Sequence, residues 1–266
     1  FRELFFLSHN LKVLYSSTPD LNKTIFKKSK FSNCKYVYLQ HSPVSLTMAY
    51  NSNAFDNFDA VQAINTFQYD EMKEIKTKKK LKTKIFKGKY LYLSTYISKI
   101  QNYKADVLIA PSWNSKFYDL KCHLKLRELL KKNNISFLLR PHPMSIAKKE
   151  ITFQELDNNK IRYDLSSKAK LNSFRFLISD WSGIFIEFAV VKNYQAHLIN
   201  TPKKILNKNY QDYSIKPIEI SMRNIFGKSF EVEDLNNLVQ DLIKKKENFK
   251  NLDNNYLKNK TRDIFF

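Results

Sequence analysis

The sequence predicts an α/β protein with parallel sheets, and three observations point there. Short apolar, β-rich runs alternate with helical patterns along the chain, the order expected when strands are joined by crossover helices. The 266 residues exceed the usual single-domain size and suit two domains of roughly 100–150 residues each. A content of 43% hydrophobic and 14% aromatic residues can fill two cores, while a mean hydropathy of −0.48 and the lack of any long apolar run argue against a membrane-spanning chain.

Taken in order, the first part, residues 1–104, predicts strands over Lys12–Tyr15 (KVLY), Tyr36–Leu39 (YVYL) and Ala60–Ile64 (AVQAI). Helical patterns follow the first and third of these, over Asp20–Lys30 and Thr66–Lys78, and a further helix is expected over Tyr90–Tyr103 before a domain boundary near Lys104. The second part, residues 105–266, repeats the scheme more clearly. Strands are expected at Asp106–Ala110 (DVLIA), Ser136–Arg140 (SFLLR), Ile161–Asp164, Arg175–Ser179 (RFLIS) and Ala196–Asn200. Helices fall between them at Lys116–Lys132, after Pro143, near Ser167 and over Ser182–Val191, which together describe a doubly wound, Rossmann-like domain. The closing helix Val232–Glu247 places Leu235, Leu238, Leu242 and Ile243 on one stripe, which is core packing.

Cys34 and Cys122 are the only cysteines and match no zinc-ligand spacing, so neither a disulfide scaffold nor a structural zinc is expected and a reducing compartment fits. The chain starts at Phe1, and its FRELFFL opening is too short and poorly flanked for a signal peptide, which suggests a fragment or a trimmed chain. Its net charge of +21 favours polyanionic partners: nucleic acid, anionic lipid or phosphorylated substrates. Residues 72–89 concentrate nine lysines against one glutamate, whereas the rest of the surplus is diffuse and reads equally well as compositional bias. Only three glycines are present, Gly88, Gly183 and Gly227, so both the dinucleotide fingerprint and the P-loop are absent. Phosphate would have to be held by helix N-termini and side chains.

Ligands of open α/β sheets collect at the carboxyl ends of strands, so polar residues that directly follow apolar runs carry the functional signal. YVYLQHSP puts His41 there, VLIAPSWN puts Ser112 and Trp113, FLLRPHP puts Arg140 and His142, and FLISDWSGIFIEFA puts Asp180, Ser182 and Gly183. Each has a plainer reading as well: histidines that order a loop, Asp180 and Ser182 as helix caps, Trp113 as a hydrophobic plug. His9, His123 and His197 occupy no such position and read as structural.

In their order and spacing these segments resemble the CDP-glycerol glycerophosphotransferase family of teichoic-acid synthesis. The resemblance is carried by His41-Ser42-Pro43, Ala110-Pro111-Ser112-Trp113-Asn114, Arg140-Pro141-His142-Pro143, Ser179-Asp180-Trp181-Ser182-Gly183 with Glu187-Phe188, and FGKSFEVEDLNNLV (Phe226–Val239). It covers about Tyr36 to Val239 and is strongest over Val107–Ala189. The chain departs from the family pattern at Ser42 in place of Gly, Asn114 in place of Arg and Gly183 in place of Ser.

The resemblance implies a GT-B-like fold, with two Rossmann-like domains facing a cleft and an N-terminal, acceptor-side domain shorter than usual. The implied activity is transfer of glycerol phosphate or a similar polyol phosphate from a CDP-activated donor to a cell-surface polymer or lipid-linked acceptor. His41 would then be the general base and His142 a catalytic donor to phosphate. Ser112, Arg140, Asp180, Ser182, Gly183 and Glu187 would bind the nucleotide donor on the C-terminal domain, with no cofactor and no metal, there being no DxD motif. The lysine run, represented by Lys78, Lys79, Lys80 and Lys82, would hold the enzyme on the anionic inner face of the plasma membrane from the cytoplasm. A GT-B glycosyltransferase using a UDP- or CMP-sugar is the nearer alternative. A basic nucleic-acid-binding protein is the more distant one, since no RNP, KH or helix-turn-helix signature accompanies the charge.

Overall fold

The computed structural model describes residues 10–23, 27–94, 103–165, 170–247, 257 and 264–265. Two compact units divide the chain: Phe1–Leu91 with Ile205–Ile218 and Asp263–Phe266, and Tyr92–Lys204 with Glu219–Arg262. The expected single cut near Lys104 does not provide for the two later segments that group with the first unit.

The first unit is built on a parallel sheet of β1 (Val13–Ser16), β2 (Lys35–Tyr38), β3 (Ala60–Ala63) and β4 (Lys84–Lys87), in that spatial order. Tyr36, Tyr38 and Val61 bury one face of the sheet among Phe55, Phe58, Met72 and Ile75. Helix α1 (Thr66–Lys78) forms where the sequence predicts it, capped by the Asn65 side chain on Gln68 N–H at 2.8 Å. Its buried positions Gln68, Glu71, Met72 and Ile75 fall at i, i+3, i+4 and i+7, so one stripe faces the unit's interior.

Several expectations in this half are corrected. No helix forms over the described parts of Asp20–Lys30: Asp20 and Asn22 take left-handed backbone (φ 60° and 72°), and Asn22 Oδ1 accepts Lys28 N–H at 2.7 Å, replacing helical bonds with side-chain ones. The lysine run contains the end of α1 and the whole of β4, a strand that the sequence reading does not predict. Of the expected Tyr90–Tyr103 helix, Leu91–Ser94 is helical (α2), and residues 95–102 lie outside the described ones.

The second unit carries a five-stranded parallel sheet in the order β6-β5-β7-β8-β9, with β5 (Ala105–Ile109), β6 (Phe137–Leu139), β7 (Phe174–Ser179), β8 (Ala196–Ile199) and β9 (Gly227–Phe230). Central β5 and β8 are buried at every residue, which is why they read as unbroken apolar runs. Helix α3 (Cys122–Lys132) packs Leu126 and Leu130 into one core with Leu238 and Leu242 of the closing helix. It starts six residues later than expected because Lys116 and Lys121 adopt left-handed φ values of 64° and 55°. Short helices α4 (Pro143–Ala147) and α5 (Phe153–Asn158) follow β6. The expected strand Ile161–Asp164 reduces to one bridge between Leu139 and Tyr163, and the helix expected near Ser167 lies outside the described residues. Helix α6 (Ile184–Lys192) joins β7 to β8, α7 (Ile218–Ser221) and α8 (Arg223–Phe226) precede β9, and α9 (Leu235–Glu247) closes the unit. At Gly227 a Cβ would sit 2.3 Å from Leu198 Cδ1, so close approach of β9 to β8 requires glycine there.

Candidate functional site

The strand order of the second unit reverses direction once: from β5 the chain steps outward to β6, then returns to place β7 on the other side of β5. Connections leave β5 and β7 toward opposite sides, and the crevice this opens at their carboxyl ends is where doubly wound sheets bind ligands. Among the described residues the first unit's sheet, wound in one direction, has no such point.

Three of the four predicted segments lie along the second sheet's rim. Ser112 N–H, just past β5, donates to Asp180 Oδ1, just past β7, at 2.8 Å, and Ser179 Oγ donates to Ala110 O at 2.7 Å. These two bonds tie the ends of the strands that flank the crevice. Asp180 is fully buried, and burial pushes its carboxyl above the usual range, opposed by hydrogen bonds from Ser115, Ser112 and the Trp181 backbone. Its position makes it a brace for the crevice.

Ser182 and Gly183 form the turn into α6. Ser182 Oγ accepts from Ile184 N–H at 3.5 Å, but the N-cap position is held by Gly183, so Ser182 is not the helix cap its alternative reading assigns. Gly183 has φ −57°, a conformation open to any residue, and it is buried. Glu187 lies in the first turn of α6 and is 7% exposed. Arg140, after β6, is ion-paired to Asp164 at 3.2 Å, the carboxylate-paired alternative to phosphate binding.

His142 caps α4: its Nδ1 accepts Met144 N–H at 3.1 Å. A backbone N–H can only donate, so Nδ1 must carry the lone pair and the ring proton resides on Nε2. His142 therefore presents a donor at Nε2, the polarity a phosphate oxygen needs. Its ring centroid lies 6.3 Å from that of Trp113.

His41 belongs to the first unit, at the end of β2. It is exposed, its Nδ1 lies 3.1 Å from the Tyr38 hydroxyl, and its carbonyl accepts from Tyr90 at 2.9 Å. With Tyr38 donating to Tyr50 at 3.4 Å, the Tyr38 oxygen accepts from Nδ1–H, a tautomer that makes Nε2 the basic nitrogen.

Two sets of residues were not found by reading the sequence. In the first unit, Glu71 is fully buried and accepts from Ser45 Oγ (2.6 Å), Leu46 N (2.7 Å) and Thr47 Oγ1 (3.0 Å), while Gln68 Nε2 donates to Ser42 and Val44 carbonyls at 2.9 Å each. Helix α1 thereby clamps the loop that follows His41. In the second unit, buried Arg223 donates to the carbonyls of Asp180 (2.8 Å) and Ile199 (3.1 Å) and to Asn200 Oδ1 (2.9 Å), and stacks 3.9 Å from the Trp181 ring centroid. It lines a cavity of about 580 Å³ with Trp181, Asn200, Thr201, Lys203 and Ser229. Lys148 and Lys204 stand over Trp113. Of these, Thr201 directly follows a strand that the sequence predicts, so the strand-end rule could have flagged it.

The predicted lysines differ among themselves. Lys78 pairs with Glu74 at 2.9 Å and Lys79 with Asp56 at 3.0 Å, whereas Lys80 and Lys82 are exposed and form no ion pair among the described residues. No group of histidine, cysteine, aspartate and glutamate among the described residues is arranged to hold a metal ion, and no described helix is long and apolar enough to cross a membrane.

Two parallel-sheet α/β units, the second with a switch-point crevice, define a GT-B-like fold. Among solved structures the chain is similar to the wall teichoic acid polymerase TagF. One TagF structure matches with 13% identity over 96% of this chain and 68% of that chain, at a TM-score of 0.51. Another, soaked with CDPG, matches with 14% identity over 96% and 67%, at a TM-score of 0.52. The chain thus spans about two thirds of the length of these proteins. No family model and no curated protein matches the sequence.

Proposed function

We propose that the protein is a transferase that moves glycerol phosphate, or a similar polyol phosphate, from a CDP-activated donor to a cell-surface polymer or lipid-linked acceptor. The observation that carries this reading is the Ser112–Asp180 bond across the switch point, because it builds the ligand crevice from the segments that bear the family resemblance. The fold shared with TagF supports it.

In this reading the donor binds the second unit, with Ser112, Asp180, Ser182, Gly183 and Glu187 shaping its site, while Arg140 acts through Asp164. Negative charge grows on the leaving CMP as the phosphorus–oxygen bond breaks, so preorganised donors lower the barrier. His142 Nε2–H and the N-terminal N–H groups of α6, at the positive end of its dipole, are donors of this kind. His41 takes the proton of the attacking acceptor hydroxyl at Nε2, and its lone pair is oriented by the Tyr38 contact. The lysine run holds the enzyme against an anionic membrane surface.

Calorimetry on the full chain with CDP, UDP and CMP tests the donor assignment. Selective binding of CDP supports it, selective binding of UDP favours the sugar-transferring alternative, and no nucleotide binding overturns it.

A further inference from the structure

Trp113 follows β5 at the switch-point rim, and two ammonium groups approach its ring: Lys148 Nζ at 4.3 Å from the centroid and Lys204 Nζ at 4.5 Å. The two charges therefore lie no more than about 9 Å apart, the sum of those distances, which is within one screening length at 0.1 M salt. Neither lysine forms an ion pair among the described residues. Of the carboxylates that act on Lys204, which are Asp180, Glu219 and Glu150, Asp180 accepts from Ser112 N–H at 2.8 Å and Glu150 from Asn114 N–H at 2.9 Å. His142, with its donor at Nε2, stands beside the same tryptophan. Two ammoniums thus flank one aromatic plate, and neither forms an ion pair among the described residues.

We propose that Lys148 and Lys204 form a two-ammonium clamp around Trp113 that takes the diphosphate of a nucleotide-activated donor. The proposal rests on the donor reading above and adds to it residues that neither the resemblance nor the strand-end motifs supply. Two separated cations match a diphosphate, whose charge is spread over two phosphoryl groups, better than a single phosphate. Each ammonium stands over the indole and retains donors for oxygen. The half-buried Lys204 has its ammonium pulled down to about 8 by burial, aided by Lys148 and opposed by Asp180, Glu219 and Glu150. An arriving diphosphate would hold that proton in place.

The chain's two tryptophans, Trp113 and Trp181, both sit at this rim, so intrinsic fluorescence reports its occupancy directly. The full-length protein and its K148Q, K204Q and K204R variants are titrated with inorganic pyrophosphate, CDP and cytidine, after circular dichroism shows that each variant folds. The clamp predicts that each glutamine substitution weakens pyrophosphate and CDP roughly tenfold and leaves cytidine unchanged, the loss of one charge-assisted contact. It also predicts that CDP affinity of the parent falls between pH 7.5 and 9 as Lys204 loses its proton, while K204R stays flat. Unchanged pyrophosphate and CDP affinities in both glutamine variants overturn the clamp and leave the donor reading standing. Lysine-dependent pyrophosphate binding without any nucleotide binding keeps the clamp and overturns the donor reading. Binding of neither ligand by the parent overturns both.

Discussion

Removing the Glu71 carboxylate should unfasten the loop that carries His41 without touching His41 itself. Glu71 is fully buried and receives three hydrogen bonds, one from a backbone N–H and two from hydroxyls that also organise Ser45 and Thr47. In Glu71→Ala the Leu46 N–H loses its acceptor inside a closed environment, at about 1–3 kcal/mol for a buried unsatisfied group. The hydroxyls can re-pair with each other, since Ser45 Oγ and Thr47 Oγ1 are 3.1 Å apart, so their loss is smaller. The cavity left by the side chain adds to this, and a total of about 3–5 kcal/mol follows. Glu71→Gln keeps one acceptor and the volume, and should cost about 1–2 kcal/mol. Urea unfolding followed by far-ultraviolet circular dichroism measures both. The functional corollary is that Glu71→Gln lowers turnover more than CDP affinity, because the loop it holds lies in the first unit. A Glu71→Ala variant within 1 kcal/mol of the parent would refute the clamp as an energetic feature.

Three further outcomes are expected. His41→Ala should leave CDP affinity within about twofold while turnover falls by roughly 10²–10⁴, the range for a lost general base, whereas His142→Ala should lower both; calorimetry and a turnover assay on each variant compare them. Buried His197 titrates near pH 4 because burial disfavours its charge more than the 2.8 Å bond to Asp241 restores it, with Lys228 and Lys245 adding to the depression. The unfolded chain therefore binds a proton below pH 6.5 that the native state refuses, and stability should fall by roughly 2–3 kcal/mol between pH 7 and 4.5; His197→Gln should flatten that part of the melting-temperature profile. Finally, replacing Lys80 and Lys82 with Gln should weaken salt-sensitive binding to anionic vesicles in a flotation assay more than replacing Lys78 and Lys79, whose ammoniums already pair with Glu74 and Asp56.

The central strands were legible because burial on both faces leaves little room for polar residues: β5, β7 and β8 read as DVLIA, RFLIS and AHLI and lie within a residue or two of where the sequence places them. Strand β4 escaped because it is an edge strand whose sequence, KIFK, exposes three of four residues and merges with the lysines around it. Strand β9, with the sequence GKSF, is the other sheet's edge, and it was hidden because Phe230 is its only large apolar residue. The helix expected from Lys116 was read too early because Lys116 and Lys121 take left-handed backbone, and the one expected over Asp20–Lys30 is absent from its described part, where Asp20 and Asn22 do; none of the four is a glycine that would announce the turn.

The candidate site divides along the same physical line. Residues such as Ser112, Asp180 and His142 are legible because chain order alone puts them at strand ends, and in a parallel sheet every such end lies on one rim. Charged residues that reach the rim from elsewhere have no such marker. Lys148 lies just past a five-residue helix and Lys204 five residues beyond a sheet strand, yet both arrive within 4.5 Å of the Trp113 ring centroid because the parallel sheet brings their loops to the same end. Arg223 is further still, on a four-residue helix, and meets Trp181 through the pairing of β8 with β9. A tryptophan after a strand was weighed as a hydrophobic plug. What distinguishes Trp113 from one is the cations it collects, and that is a property of the folded sheet which no spacing in the sequence encodes.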